Sequence, residues 1–397
     1  MGNRAEIQDG MMALTSEAAD PVALLQALIR CASVTPAEAG VFDVLARALT
    51  PLGFIVTRLT FEGNGSYPVD NLFATRGTSG PHLLFNGHTD VVPPGDRALW
   101  THEPFGAEIA DGVLYGRGAV DMKSGIAAFV AALANAPASG RISIAITNDE
   151  EADGVNGTAR IMEWAAAAGH RFDFAIVGEP SATATVGDSI KIGRRGSLNG
   201  RITVTGVQGH VAYPHKALNP LPVAAALVGA LSGTLDDGSA HFPASNLEFT
   251  SIDVGNTVTN VIPAAVTLRF NVRYNELWTP ESLEASIREG IESQDDDGTR
   301  IAFDVMGTPS RSFLSPLSGA VETLADVIEA QCGARPEFST AGGTSDARFI
   351  AQYCPVVECG LPGPTMHKAD ECVPLSDVAA LSALYGAFLR RYLGAVA

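Results

Sequence analysis

Two secondary-structure rhythms share this chain, and one interrupts the other. Up to about residue 181, short apolar strands alternate with helices. Pro21 opens a helix with Val22, Leu25, Leu28 and Ile29 on one face, and a second helix covers 37–50. The apolar run at 82–86, the β-branched alternation at 141–147 and the run at 172–177 read as strands, with a helix at 126–134 between the first two. From about 196 the order becomes strand 196–207, helix 220–231, strands 246–254 and 266–274, helix 280–291 and strand 300–305. That is a β-α-β-β-α-β unit, ferredoxin-like, able to close a small core of its own. The first rhythm then resumes, with helices at 317–331 and 376–393 around a strand at 356–359. The expected fold is therefore α/β with a mixed sheet, formed by 21–181 and 309–397, and interrupted by an inserted domain at 182–308.

Composition excludes several classes. With 46% hydrophobic and 18% charged residues among 397, the chain can bury a substantial core. Lys+Arg 26 against Asp+Glu 44 gives −18, which disfavours nucleic acid and anionic membrane surfaces as partners. The five cysteines, at 31, 332, 354, 359 and 372, form no CxxC pair, so a disulfide framework and a thiolate zinc site are not expected. Idle thiols suit a reducing cytoplasm. No apolar run reaches the ~18–20 residues of a membrane helix. Residues 1–20 read as an N-terminal tail without the apolar stretch of a signal peptide, and Met11 and Met12 leave 1–12 as a leader or loose end.

The common cofactor and nucleophile motifs are missing: there is no GxxxxGK[ST], no GxGxxG after a strand, no GxSxG, SxxK or HExxH. What remains is a set of acids and histidines, each just after an apolar strand or tight turn: His88 and Asp90, Asp121, Glu150 and Glu151, Glu179, and His367. Taken singly, each reads as a solvated loop residue. As a set they gather where ligands bind in open α/β sheets, beyond the carboxyl ends of the strands. Two imidazoles and three carboxylates suit two divalent ions of the zinc or cobalt type, one carboxylate being shared. Such a pair activates water and polarises a carbonyl. Two acids are then left over. Asp90, two residues past His88, can orient that imidazole. Glu150, beside a ligand, can be the general base.

The stretches His88-Thr-Asp90-Val-Val-Pro, Gly116-Arg-Gly118-Ala-Val-Asp121-Met-Lys, Thr147-Asn-Asp-Glu150-Glu151 and Gly178-Glu179-Pro180 resemble the successive motifs of a co-catalytic dimetal peptidase and deacylase family, which includes acetylornithine deacetylase, aminoacylase and carboxypeptidase G. The resemblance covers about 21–393. Three further stretches resemble the succinyl-amide-cleaving branch of that family: Gly193-Arg-Arg-Gly-Ser197, Gly342-Gly-Thr-Ser-Asp-Ala-Arg-Phe349 and Met366-His367-Lys-Ala-Asp-Glu-Cys-Val373. It implies a dimetal aminopeptidase-like catalytic domain, a lid and dimerisation role for the insert, and zinc, replaceable by cobalt. It also implies His88 and Glu179 on one metal, Glu151 and His367 on the other, Asp121 bridging, Asp90 orienting His88 and Glu150 as base. A cis peptide between Asp121 and Met122 is part of the same expectation. His210, in Gly209-His210-Val-Ala-Tyr213-Pro, would serve the neighbouring subunit of a homodimer. Arg194, Tyr213, Asn260, Arg273, Gly343, Thr344 and Ser345 would contact substrate. The implied reaction is hydrolysis of N-succinyl-LL-2,6-diaminopimelate to succinate and LL-2,6-diaminopimelate, a step toward lysine. An acetylornithine deacetylase-like or dipeptidase activity is the alternative. Arginines at 194, 195 and 273 fit an anionic substrate, which the net charge of −18 would otherwise repel.

Overall fold

Asp20 starts the first helix, Pro21–Arg30, by accepting hydrogen bonds from the N–H groups of Val22 and Ala23. The computed structural model describes residues 20–63, 65–137, 139–317 and 319–394; the expected tail and its Met11 and Met12 lie outside them. These residues form two units. One takes the described residues up to Ile192, then Ser315–Ser339 and the chain from Ser345; the other takes Gly193–Leu314 and Thr340–Thr344.

The first unit is built on an eight-stranded mixed sheet. Its order is Ile55–Gly63, Ser66–Arg76, Arg141–Thr147, His82–His88, Phe174–Val177, Val356–Glu358, Ser189–Lys191 and Glu337–Ser339. The four central strands from Arg141–Thr147 to Val356–Glu358 run parallel. They are buried almost throughout, which is why they read as continuous apolar runs. The helix Lys123–Leu133 is buried along its whole length and packs against Pro21–Arg30 and Leu375–Gly394. Phe85 stacks on Phe129 with ring centroids 4.0 Å apart. Burying such a side chain contributes roughly 1.5–3 kcal/mol.

The second unit carries a five-stranded antiparallel sheet. In chain order its four long strands are Gly196–Thr205, Asn246–Asp253, Ala265–Tyr274 and Arg300–Ser310; across the sheet they stand second, third, first, fourth. The short strand Gly233–Thr234 extends the Asn246–Asp253 edge. Helices Pro220–Leu231 and Pro280–Glu292 give Val223, Leu227, Leu283 and Ile287 to a core with Leu198, Val204, Leu268 and Val272. This is the order a ferredoxin-like βαββαβ unit requires.

Three differences from the sequence reading bear on the architecture. The second helix begins at Val41, not 37, because Ala39 and Gly40 take positive φ (53° and 80°) after a cis Thr35–Pro36 bond. The hairpin of Ile55–Gly63 with Ser66–Arg76 has no apolar run in its first strand, which is half exposed and alternates. The second unit takes Gly193–Leu314 and Thr340–Thr344 rather than 182–308, its start being set by Ser189–Lys191, which pairs with Glu337–Ser339 and Val356–Glu358 in the first sheet.

Candidate metal centre

Three parallel strands end in register. His82–His88 lies between Arg141–Thr147 and Phe174–Val177, with His88 level with Thr147 and Asn86 level with Val177. The residues that follow, Glu150, Glu151 and Glu179, therefore leave the sheet at the same edge as His88. Val356–Glu358 leads toward that edge as well, ahead of His367. The Glu179 turn sits close to the buried helix through glycine: a Cβ on Gly125 would stand 2.3 Å from the Gly178 carbonyl oxygen. Asp121 arrives separately, from the turn before Lys123–Leu133, and its peptide with Met122 is cis, as the resemblance implies.

Asp121 joins two clusters. His88 Nε2 is 3.0 Å from Asp121 Oδ1 and 3.4 Å from Glu179 Oε1. His367 Nε2 is 3.2 Å from Asp121 Oδ2 and 3.0 Å from Glu151 Oε1. In each cluster the three ligand atoms lie within 4.8 Å of one another. One carboxylate thus offers one oxygen to each side.

The donor chemistry fits cations. His88 Nδ1 is 2.9 Å from the main-chain oxygen of Asp90, which can only accept, so Nδ1 carries the proton. In the neutral ring Nε2 is then a lone pair facing two carboxylate oxygens, an arrangement that a cation among them, or a proton shared with a carboxylate, relieves. The same crowding displaces the titration of these groups. Burial lowers His88, but Asp121 and Glu179 carry it well above its usual value. Hydrogen bonds to Asp121 and then Glu151 raise His367 to about 10. Burial, then the Asp121 charge, lifts Glu179 to about 8. Glu150 is pushed well up by burial and by Glu179, Asp346 and Asp121 around it. Divalent ions would reverse this local balance and leave the carboxylates ionised.

Supporting contacts refine the expected roles. The Asp90 carboxylate lies 3.6 Å from His88 Nδ1, while its oxygens accept from the N–H groups of Glu150 (3.3 Å) and Glu151 (3.1 Å) and from Thr35 Oγ1 (2.8 Å). The His88 ring is oriented by the Asp90 carbonyl; the Asp90 side chain holds the Glu150–Glu151 turn. Asp149 shapes the same turn, accepting from Tyr67 Oη at 2.8 Å and from Val155 and Asn156 N–H. Sequence reasoning passes over Asp149, Asp346 and Glu371, all buried acids. The last two lie inside stretches already singled out, Gly342–Phe349 and Met366–Val373. Ser345 is buried and donates to the buried Glu358 carboxylate, so its hydroxyl serves its own unit.

The remaining candidates belong to the second unit. Gly209–His210 pairs with Val261–Ile262, and Val211 N–H donates to the Asn260 carbonyl, which puts His210 and Asn260 on one exposed ribbon with Tyr213. His210 Nδ1 accepts from Ala212 N–H at 3.0 Å, which leaves Nε2 to carry a proton. Arg194 is buried and donates to the Ala341 carbonyl at 2.8 Å, anchoring the loop that contains Gly343 and Thr344. Arg273 is depressed by burial and by the neighbouring Arg195 guanidinium, whose buried Nε has no hydrogen-bond partner among the described residues. Two crowded guanidiniums favour an anion between them.

The chain is 53% identical over 379 residues, 94% of its length and 98% of the relative's, to succinyl-diaminopimelate desuccinylase of Methylorubrum populi. It is 50% identical over 390 residues, 96% of its length and all of the relative's, to that of Rhodopseudomonas palustris. Among solved structures, an M20 family metallo-carboxypeptidase from Sulfolobus solfataricus superposes with TM-score 0.75 at 16% identity, over 94% of this chain and 99% of that one. A tripeptidase from Staphylococcus aureus does so with TM-score 0.75 at 19% identity, over 95% and 99%. Both share the mixed α/β fold. Residues 84–391 match the Peptidase family M20/M25/M40, and the chain belongs to that family.

Proposed function

We propose that this chain is a dimetal amide hydrolase that cleaves N-succinyl-LL-2,6-diaminopimelate to succinate and LL-2,6-diaminopimelate. The observation that carries the reading is Asp121, one oxygen toward His88 and the other toward His367. Identity of about half along nearly the whole of the Methylorubrum populi desuccinylase supports the substrate.

His88, Asp121 and Glu179 would hold one ion and Asp121, Glu151 and His367 the other. Bound there, zinc or cobalt supplies Lewis acidity toward the amide carbonyl and acidity to water. The chain's residues do the rest. Glu150, crowded by acids, takes a proton from water as its oxygen adds to the amide carbon. Glu150 then returns that proton to the departing nitrogen as the C–N bond breaks, giving the amine and a carboxylic acid; the acid's proton passes to the amine, so succinate leaves as a carboxylate and diaminopimelate as an ammonium. His210, with its proton on Nε2, donates to the developing oxyanion of a neighbouring subunit's site. This requires a homodimer, and the second unit offers the part of strand Asn246–Asp253 that Gly233–Thr234 leaves uncovered, and the exposed Leu221 of helix Pro220–Leu231, for its contact. Arg195 and Arg273 receive substrate carboxylates, with Arg194 holding the loop of Gly343 and Thr344. Five cysteines, none in a disulfide, suit a cytoplasmic location. No helix of the described residues is long and apolar enough to cross a membrane.

The test is turnover of N-succinyl-LL-2,6-diaminopimelate by metal-free protein reloaded with zinc or cobalt, beside N-acetylornithine and dipeptides. Release of succinate far above the other products is expected. Preferential cleavage of N-acetylornithine or a dipeptide would replace the assignment.

A further inference from the structure

Glu371 has no part in either cluster, yet it is fully buried and holds the turn that carries Asp121. Its Oε1 accepts from Val120 N–H at 2.8 Å and Asp121 N–H at 3.2 Å. Its Oε2 accepts from Gly118 N–H at 3.1 Å and Arg117 Nη1 at 2.7 Å. Its main-chain oxygen accepts from Gly116 N–H at 2.8 Å. The turn is shaped for this: with Gly118 at φ 84°, the N–H groups of Gly118, Val120 and Asp121 face one carboxylate while that of Ala119 donates to the Gly116 carbonyl. Arg117, also buried, neutralises the charge, stacks over Trp100 and reaches the main-chain oxygen of His367 at 3.5 Å.

We infer that Glu371 is a positioning residue that aims the Asp121 carboxylate between the two metal sites and thereby couples their occupancy. The inference rests on the dimetal reading above. Glu371 lies four residues beyond His367 and is bonded to the N–H of Asp121, so one side chain ties a ligand exclusive to one cluster to the ligand common to both. A shift in the 116–121 turn rotates Asp121, and Asp121 cannot then face both histidines. Its neighbour Asp370 supplies a contrast. Asp370 accepts from Thr101 N–H (2.9 Å), Thr101 Oγ1 (2.7 Å) and His102 N–H (3.2 Å), holding the same loop but not the Asp121 turn.

The experiment is a cobalt(II) titration of metal-free protein, followed by calorimetry and by visible absorption, for wild type, Glu371→Gln, Glu371→Asp and Asp370→Asn. Glutamine turns an N–H₂ toward N–H donors; aspartate keeps the charge but cannot reach both halves of the turn. Both Glu371 variants are expected to bind the second equivalent about 10–100-fold more weakly than wild type, with an altered absorption band, the usual size of an effect from a residue supporting a ligand. Asp370→Asn is expected to lower Tm while leaving both affinities within about twofold. The inference is overturned if the Glu371 variants bind both equivalents as wild type does, if Asp370→Asn weakens the second equivalent equally, or if neither Glu371 variant folds, which would make the residue purely structural. If wild type itself fails to take two equivalents, the dimetal reading is what falls.

Discussion

His88 Nδ1 lies 2.9 Å from the main-chain oxygen of Asp90 and 3.6 Å from its carboxylate. The backbone therefore sets the tautomer of the ring, and the side chain is free for the Glu150 and Glu151 N–H groups. Asp90→Asn keeps the carbonyl and one acceptor oxygen but loses the second. The expected result is a kcat about 10–100-fold lower, from a loosened Glu150, with two metal ions per chain retained. Metal analysis by mass spectrometry beside steady-state kinetics checks it. Loss of the ion held by His88 and Glu179, with the ion held by Glu151 and His367 retained, would return the carboxylate to His88.

Glu150→Gln removes the proton acceptor without touching a ligand atom. Turnover should fall by about 10²–10⁴-fold or more, with metal content unchanged. Single-turnover kinetics and metal stoichiometry on one preparation decide the matter. A variant that loses metal would exchange the roles of Glu150 and Glu151.

How much of this could be read beforehand depended on the kind of burial. His88, Glu179 and Glu151 follow strands buried on both faces, and a continuous apolar run advertises its own carboxyl end. Glu371 follows no strand. It sits in a short polar stretch, where an acid ordinarily faces water, and only the turn at 116–121, far away in sequence, gives it donors. Asp90 was legible as a partner of His88 by spacing, but spacing cannot separate a side chain from its own carbonyl. Ser345 was legible as a hydroxyl in a Gly-rich stretch; its partner, Glu358, is buried on a strand that sequence shows only as apolar neighbours.

His82 gives the fold a pH dependence separate from the site. It is buried at the start of its strand, with Nδ1 2.8 Å from the Arg171 carbonyl and Nε2 2.8 Å from Ser143 Oγ. Burial, then the Arg141 charge, depresses it to about 4 from an ordinary 6.5. The unfolded chain thus binds a proton that the folded one refuses between those values. The resulting stability is present above pH 6.5 and lost as pH falls toward 4, by about 1–3 kcal/mol. Urea denaturation at pH 7 and pH 5 should show this loss in wild type, and a smaller one in His82→Gln. Equal losses in both proteins would remove His82 as the source.

His210 separates action within a chain from action across a dimer. Its ribbon is exposed, its Nδ1 is occupied by Ala212 N–H, and its Nε2–H is a hydrogen-bond donor that finds no acceptor among the described residues. An oxyanion donor is worth about 10²–10³ in rate, so His210→Ala alone should be nearly inactive, as should Glu150→Gln. Mixing the two under conditions of subunit exchange gives heterodimers. If His210 serves the partner's site, each heterodimer has one site with both lesions and one with neither, and activity returns in proportion to the heterodimer formed. If His210 serves its own chain, every site keeps one lesion and nothing returns. Native mass spectrometry measures exchange and succinate release measures recovery. Complete exchange without recovery would rule out the trans role.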